Sequence, residues 1–396
     1  MSGNPSAFLG TLAVIVLFIL TRAAMLTQSW RVSWDVYYYW FGPHHGRAIA
    51  ELLTEYPTPV AWALSGLHAL FPELPSFRAA FTLLMVGLDA LTAVLLWRRS
   101  LRAGLVWLAF GTAIGVISYH RIDLLTATPV ALALLWASAR PKAAGALLGL
   151  AAAFKLWPAL LAPALVAGAD GQRRARLLGF TAVGGGLGLA SLLLAGWARS
   201  VSPLTWQAER GLQIESVAAT PLVVGRVLSP DAWHVGVSEF NAVEIAGPGT
   251  DAALLVTSVA NVLAVVIAAA LAWRLSRRPS AEGLAVCVIA ITAWMIVVNK
   301  TFSPQYLWWL AGPVAIWCIW AASRRQMFII SGSMIALALA TGLIFPWCYD
   351  AITDGYAAGM VLLAARNAGM VAFAVWALLR AWRVTGDFRV ASEKQA

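Results

Sequence analysis

The chain has 396 residues, of which 61% are hydrophobic and 12% are charged, and its formal net charge is +10. Soluble globular domains carry roughly 45–50% apolar and about 25% charged residues. This composition excludes a soluble enzyme and a disordered protein. The basic residues lie between apolar runs and form no single basic face, so the charge indicates a membrane protein and no nucleic-acid partner.

A membrane-spanning helix requires about 20 apolar residues. We therefore predict an all-α integral membrane protein with a bundle of about 11–12 transmembrane helices. The predicted spans lie near residues 8–26, 76–97, 103–119, 122–138, 177–196, 252–273, 281–298, 305–322, 327–346 and 359–380.

Clusters of arginine and lysine identify one face of the predicted bundle. They lie at 98–102, 140–142, 173–176, 274–278, 324–325 and in the C-terminal segment from 380. By the positive-inside rule these connections and both termini are cytoplasmic in a plasma membrane. The acid-rich connections are then extracytoplasmic, and we expect the active site on that face.

The whole chain, 1–396, is predicted to be one polytopic membrane domain. Its extracytoplasmic loops are 27–75, with helices at 45–71 that lie on or dip into the bilayer, and 197–251. The segment 143–168 is basic at both ends and contains Pro158, so we predict a hairpin of two half-helices with Lys155 near its tip. Residues 381–396 form a cytoplasmic tail.

Two polar segments of the first loop are candidates for chemistry. Asp35 is either an ordinary loop acid or helix cap, or a general base with Tyr37 and Tyr38 beside it to shape a sugar or lipid site. Glu55 and Tyr56 precede two prolines, which indicates either a rigid corner or a pair that orients a hydroxylated ligand.

Two candidates lie at or within the apolar segments. Arg121 and Asp123 either pair with each other, or hold an anion and a sugar hydroxyl respectively. A lysine buried in a bilayer is costly, so Lys155 either reaches a headgroup or an acid, or neutralises the phosphate of a lipid-linked substrate.

Two further polar segments lie in later loops. Arg210 and Gln213 fit one helical face within 206–216, which predicts either an amphipathic interfacial helix or the lining of a polar cleft. Lys300, Gln305 and Tyr306 form either a capped loop beside an aromatic belt, or a site in which the lysine binds phosphate and the other two bind sugar.

The sequence predicts no metal site and no cofactor. Cys287, Cys318 and Cys348 lack paired or metal-ligand spacing, and His44 and His45 are adjacent. No phosphate-cradling loop or HExxH motif is present.

Six motifs occur in a fixed order along the chain: DVYYY at 35–39, EYPTP at 55–59, RIDLL at 121–125, GLAAAFKLWP at 149–158, RGLQIES at 210–216 and NKTFSPQY at 299–306. Together they resemble the family 87 glycosyltransferases of the GT-C superfamily. These are actinobacterial membrane enzymes that include polyprenyl-phosphate-mannose-dependent mannosyltransferases and some arabinofuranosyltransferases.

The resemblance implies transfer of a sugar, with inversion, from a polyprenyl-phosphate donor to a glycolipid or lipoglycan of the cell envelope. It implies that Asp35 is the base, that Glu215 of the fifth motif contacts substrate, and that Lys155, Arg121, Arg210 and Lys300 hold the phosphate. Many members have a histidine-containing stretch after the Ser-Pro pair, whereas Ser303-Pro304 of this chain is followed by residues 305–309, QYLWW, with no histidine. Mannose is the expected sugar, and arabinofuranose and the acceptor are left open.

A second interpretation is a transporter or flippase of lipid-linked sugars, and a third is a scaffold in an envelope-assembly complex. Transporters commonly contain broken helices in both of two repeated halves. This sequence has one predicted broken hairpin and no second counterpart, which favours the enzyme.

Overall fold

A computed structural model of the protein describes residues 5–168, 172–321 and 323–386. The described chain is predominantly helical, with only two short strands, which confirms the predicted all-α membrane class. Its helices are α1 (Pro5–Leu26), α2 (Trp34–His44), α3 (Thr58–Leu70), α4 (Leu74–Arg99), α5 (Leu101–Ile114), α6 (Leu124–Leu135), α7 (Pro141–Phe154), α8 (Ala162–Ala167), α9 (Arg173–Phe180), α10 (Gly186–Glu209), α11 (Thr220–Gly225), α12 (Thr250–Arg277), α13 (Ala281–Val298), α14 (Trp308–Trp320), α15 (Arg324–Gly342), α16 (Tyr349–Thr353) and α17 (Ala357–Val384).

Short irregular helices connect several of these elements. The 3₁₀ segments are Ser29–Arg31, Val116–Tyr119, Trp157–Leu161, Pro230–Ala232 and Pro304–Leu307, and the π segments are Thr181–Gly185 and Leu343–Trp347. Strands β1 (His234–Val237) and β2 (Val243–Ala246) form an antiparallel hairpin in which His234 pairs with Ala246. The sequence patterns did not predict this hairpin.

In the described part of the chain, six helical segments are long and apolar enough to cross a membrane: Leu74–Arg99, Arg173–Glu209, Thr250–Arg277, Ala281–Val298, Arg324–Trp347 and Ala357–Val384. The predicted spans at 103–119, 122–138 and 305–322 are interrupted, and their α-helices α5, α6 and α14 have only 14, 12 and 13 residues. Gly115, with φ of +83°, ends α5, and Pro304 begins a 3₁₀ segment before α14.

Burial separates central helices from peripheral ones. In α13, 78% of the apolar span is buried inside the protein, whereas the values are 22% for α12 and 11% for the segment Arg173–Glu209. Helices α6 and α14 are also buried along most of their length. The core therefore lies around α6, α13 and α14, and α10 and α12 present apolar side chains outward.

Close glycine contacts fix α7 against α9. A Cβ atom at Gly145 would collide with the carbonyl of Arg176, and one at Gly149 would collide with the backbone of Gly184. Glycines spaced four residues apart allow membrane helices to approach this closely. The backbone leading to the end of α7 is therefore held without intervening side chains.

The helix of the 143–168 segment ends at Phe154, and Lys155 is extended, with φ of −147° and ψ of 140°. The break thus begins before Pro158, which lies within the 3₁₀ segment Trp157–Leu161. A proline has no backbone N–H to donate, and its ring clashes with the carbonyl four residues earlier, which for Pro158 is that of Phe154, so the α-helix cannot continue through it.

The loops differ from their predicted structure in two places. Residues 45–57, expected within helices, form turns and extended backbone between α2 and α3. Helix α10 is broken by a kink at Gly196, which has φ of +81°, and its second part ends at Glu209. Arg210 is extended, so the proposed helical face through Arg210 and Gln213 does not form. The part of the expected tail at 387–396 lies outside the described residues.

An ion pair between Arg22 of α1 and Asp89 of α4 is buried within the bundle. Arg22 Nε lies 2.9 Å from Asp89 Oδ2, and both side chains are almost fully buried. Trp107 Nε1 and Tyr119 Oη donate to the same carboxylate at 2.7 and 2.6 Å. The network joins α1, α4 and α5 to the 3₁₀ segment that precedes Arg121.

Replacing Arg22 by methionine should destabilise the bundle by ~3–5 kcal/mol, because Asp89 would keep a buried charge without its cation. The thermal unfolding midpoint of the purified protein in detergent is the measurement. The double variant Arg22→Met/Asp89→Asn removes both charges and should unfold at a higher temperature than the single variant. Equal midpoints for the single variant and the wild type would contradict this role.

Candidate active site

A cavity of about 680 Å³ lies where α2, the 45–57 segment, α10 and the β-hairpin meet the bundle. The predicted site residues that line it are Asp35, Tyr38, Glu55, Tyr56, Arg121, Lys155, Arg210, Gln213, Glu215, Gln305 and Tyr306. They come from segments far apart in sequence, so the fold brings the predicted motifs together at one place.

Asp35 and Arg121 form an ion pair in the cavity wall. Asp35 lies in the first turn of α2, and its Oδ1 contacts Nη1 of Arg121, which lies in the turn before α6. Burial raises the pKa of Asp35, and the charge of Arg121 opposes this only partly. A carboxylate with a raised pKa is a stronger proton acceptor than an exposed one.

Lys155 is held by an acid and by aromatic rings. Its Nζ lies 2.7 Å from Asp123 Oδ1, and the same oxygen accepts a hydrogen bond of 2.7 Å from Trp309 Nε1. Nζ is also 5.0 Å from the centre of the Tyr306 ring and 5.8 Å from that of Tyr56. Asp123 therefore pairs with Lys155, and Arg121 pairs with Asp35 rather than with Asp123.

Three aromatic rings form a continuous stack along the cavity wall. The ring centres of Trp157 and Trp309 are 4.7 Å apart, and those of Trp309 and Tyr306 are 4.1 Å apart, with planes within about 21° of parallel. The break after α7 places Trp157 here, two residues after Lys155 in the chain. The stack gives the cavity a flat apolar face beside a cation.

Arg199 of α10 holds the 45–57 segment in place. Its guanidinium donates to the backbone carbonyls of Ile49, Leu52, Leu53 and Tyr56 at 2.9–3.2 Å. These carbonyls have no helix or sheet to bond to, so a buried arginine satisfies them. This arrangement fixes the backbone around Glu55.

Glu55 and Tyr56 each contact a tyrosine of α2. Tyr38 Oη donates to Glu55 Oε2 at 3.2 Å, and the hydroxyls of Tyr39 and Tyr56 are 3.4 Å apart. Burial raises the pKa of Glu55, whereas its hydrogen bonds act in the opposite direction. The cavity therefore contains a second carboxylate with a raised pKa, Glu55, in addition to Asp35.

Gln213 and Glu215 form the deep part of the cavity. The Gln213 side chain accepts from the amide of Phe302 at 2.6 Å and donates to Glu215 Oε2 at 3.2 Å. Arg366 of α17 lies 3.5 Å from Glu215 Oε1 and 3.9 Å from the centre of the Phe302 ring. Burial raises the pKa of Glu215 to about 7, although Arg366 and Arg121 oppose the shift.

Three predicted site residues do not line the cavity. Lys300 Nζ donates to the carbonyls of Ala208 and Arg210, where it caps the end of α10. Tyr37 packs its ring against Trp34, Trp40 and Phe41 on the other side of α2. Asp123 lies behind Lys155.

Several residues that line the cavity, or that support its walls from behind, were not singled out from the sequence. Tyr39 and Trp157 belong to two of the quoted motifs, so their motifs contained the signal. Arg199 lies within an apolar helix, where a buried charge is itself an indication of function or structure. Within the ranges 5–168, 172–321 and 323–386, no group of three His, Cys, Asp or Glu side chains could hold a metal ion.

The raised pKa of Glu215 predicts a pH dependence of stability. The folded protein binds the Glu215 proton more tightly than the unfolded chain does, and this difference stabilises the fold. The stabilisation is complete below pH about 4.5 and is lost as the pH rises through about 7. Glu215→Gln should flatten the fall of the unfolding midpoint over this range. The exposed Glu239→Gln should keep the wild-type fall, and an unchanged fall in Glu215→Gln would contradict the assignment.

Comparison with known proteins adds one match. The family model described as glycosyltransferase family 87 matches residues 54–298, which is more than half of the chain and includes the Lys155 hairpin and the Gln213–Glu215 segment. Neither the curated proteins nor the solved structures with which the chain was compared gave a match. The chain belongs to glycosyltransferase family 87, and it is a membrane glycosyltransferase.

Proposed function

We propose that the protein transfers a sugar, most simply mannose, from a polyprenyl-phosphate donor to a glycolipid or lipoglycan acceptor, with inversion at the anomeric carbon. The observation that carries this proposal is the cavity itself. It combines the Asp35 carboxylate, cationic side chains that include Arg121, Lys155 and Arg210, and an apolar wall of lipid-facing helices.

The apolar part of the cavity suits a prenyl chain. It is lined by Leu204 of α10, by Ala264 and Val265 of α12, and by Leu156 and Leu160 beside the α7 break. Helices α10 and α12 are the least buried of the apolar segments. A prenyl chain can therefore remain among apolar side chains and lipid while its phosphate reaches the polar end.

The polar end suits displacement of a phosphate. The acceptor hydroxyl oxygen attacks the anomeric carbon, its proton passes to the Asp35 carboxylate, and the bond from that carbon to the phosphate oxygen breaks. Prenyl phosphate leaves with both bonding electrons. Arg121, Lys155 and Arg210 supply positive charge where negative charge develops, which stabilises the transition state.

The sugar fits between the aromatic stack and the 45–57 segment. Gln305 is buried, and its Oε1 has no hydrogen-bond partner in the described protein. Glu55 and the hydroxyl of Tyr56 line the same space. These groups can bind sugar hydroxyls while Tyr306 and Trp309 cover an apolar face of the ring.

We place the active site on the extracytoplasmic side and both termini in the cytoplasm. Helices α4, α12 and α17 each carry arginines at their C-terminal ends, Arg99, Arg277 and Arg383 respectively, and the β-hairpin that lines the cavity precedes the opposite end of α12. The positive-inside rule assigns those ends to the cytoplasm.

Replacing Asp35 by asparagine should lower turnover by about 100-fold or more, because the variant lacks the proton acceptor. Purified protein in nanodiscs would receive radiolabelled polyprenyl-phosphate mannose, or its arabinofuranose analogue, with a membrane glycolipid extract. Asp231→Asn removes an exposed acid and is the matched control. A folded Asp35→Asn protein with wild-type turnover would exclude Asp35 as the base, and labelled lipid that crosses sealed vesicles without transfer would favour a carrier.

Replacing Lys155 by methionine should raise the apparent KM for the donor more than that for the acceptor, because Lys155 contacts the phosphate. The same nanodisc assay, with each substrate varied in turn, measures both values. Asp123→Asn/Lys155→Met is the companion variant, since it leaves no stranded carboxylate and separates phosphate binding from folding. Equal changes in both KM values in this double variant would argue against a phosphate contact.

A further inference from the structure

The cationic side chains of the cavity differ in the ion-pair partners that they already have. Lys155 contacts Asp123, and Asp123 keeps a second donor in Trp309. Asp123 also lies behind the cavity wall. The Lys155–Asp123 pair is therefore a fixed part of the wall, with the lysine presented to the cavity on aromatic faces.

Arg121 and Asp35 form a pair of a different kind, because both side chains line the cavity. Arg121 holds Asp35 through Nη1, while its Nε is buried without a hydrogen-bond partner. Its backbone lies in the short turn between the Val116–Tyr119 segment and α6, so the long side chain is the part that can change direction. A guanidinium has further donors that suit a phosphate.

The two roles of this pair conflict in the empty cavity. Asp35 accepts a proton more readily when no cation neutralises it, and Arg121 binds a phosphate more completely when its donors are free. One contact cannot serve both roles at the moment of transfer.

Resting on the proposed function, we propose that Arg121 exchanges partners during the reaction: it covers Asp35 in the empty site and moves to the phosphate when the prenyl-phosphate donor binds. The exchange uncovers Asp35 only when a donor is present. Arg121 is thereby a positioning residue for the base as well as a phosphate ligand.

Charge development favours the exchange. The donor phosphodiester carries one negative charge, and the prenyl phosphate that leaves gains a second as its bond to the sugar breaks. Arg121 therefore interacts more strongly with the phosphate as the reaction proceeds. Removal of the guanidinium from Asp35 at the same time leaves that carboxylate in a buried environment, where its proton affinity is higher.

A fixed Asp35–Arg121 pair and a pair that exchanges predict opposite effects of Asp35→Asn on phosphate binding. If Asp35 only holds Arg121 in the correct direction, Asp35→Asn loosens the arginine and weakens phosphate binding. If Asp35 competes with the phosphate for Arg121, Asp35→Asn frees the arginine and strengthens phosphate binding. The sign of the change in Kd therefore separates the two arrangements.

The test is the binding of a short-chain prenyl phosphate to the full-length protein in nanodiscs, with the corresponding prenyl alcohol as the uncharged probe. The variants are Asp35→Asn, Arg121→Met, their double variant and the exposed control Asp231→Asn. We expect Asp35→Asn to lower the Kd for prenyl phosphate on the order of tenfold. The decrease should vanish in the Arg121→Met background, and the alcohol should bind all variants alike.

The outcomes separate the inference from the function on which it rests. An unchanged or higher Kd in Asp35→Asn overturns the exchange and leaves phosphate binding intact. An equal decrease of the Kd in Asp231→Asn, or in the Arg121→Met background, also overturns the exchange. Loss of a negative charge would then explain the tighter binding without any part for Arg121. If wild-type protein binds prenyl phosphate no better than the alcohol, the proposed donor itself is wrong.

Discussion

A charge inside a membrane protein must be compensated by the chain itself, and this constraint organises the structure. An uncompensated ion away from water costs several kcal/mol, more than most single contacts return. The described chain meets this cost with pairs that join distant segments: Arg22 with Asp89, Arg121 with Asp35, Lys155 with Asp123, and Arg366 with Glu215. The ion pairs therefore supply the charged groups of the site, and they also hold together the helices that surround it.

The ion pairs differ in how completely other side chains enclose them, and this difference separates pairs that hold the fold together from pairs that can take part in the reaction. Asp89 has Arg22, Trp107 and Tyr119 around it, so its network is a closed anchor for α1, α4 and α5. The pair of Arg121 and Asp35 borders the cavity and retains an unused donor. A closed network holds the backbone in place, and an open one can accept a substrate group.

The sequence predicted the class of protein and the composition of the site, because both depend on local information. Hydrophobic run length indicates membrane helices. Polar residues such as Lys155 stand out within an apolar run. The fold then brought most of these residues to one cavity, although nothing in the spacing alone required it.

The partners of those residues could not be read from the sequence, because tertiary packing decides them. Arg121 and Asp123 are two residues apart, yet each pairs with a residue from another segment. Arg210 matched a helical period, but α10 ends just before it. Lys300 caps this helix end by donating to the carbonyls of Ala208 and Arg210. The β-hairpin was missed because its strands have only four residues each, too few for a clear alternating pattern.

The glycine contact between α7 and α9 limits how the site can diversify among related proteins. With backbone against backbone at Gly145 and Gly149, no side chain lies between the helices that could be exchanged for a smaller or larger one. The position of Lys155 at the end of α7 is thus set by the backbone contact of that helix. Changes in acceptor choice are more readily accommodated in the 45–57 segment and the β-hairpin, where insertions and substitutions do not displace a helix.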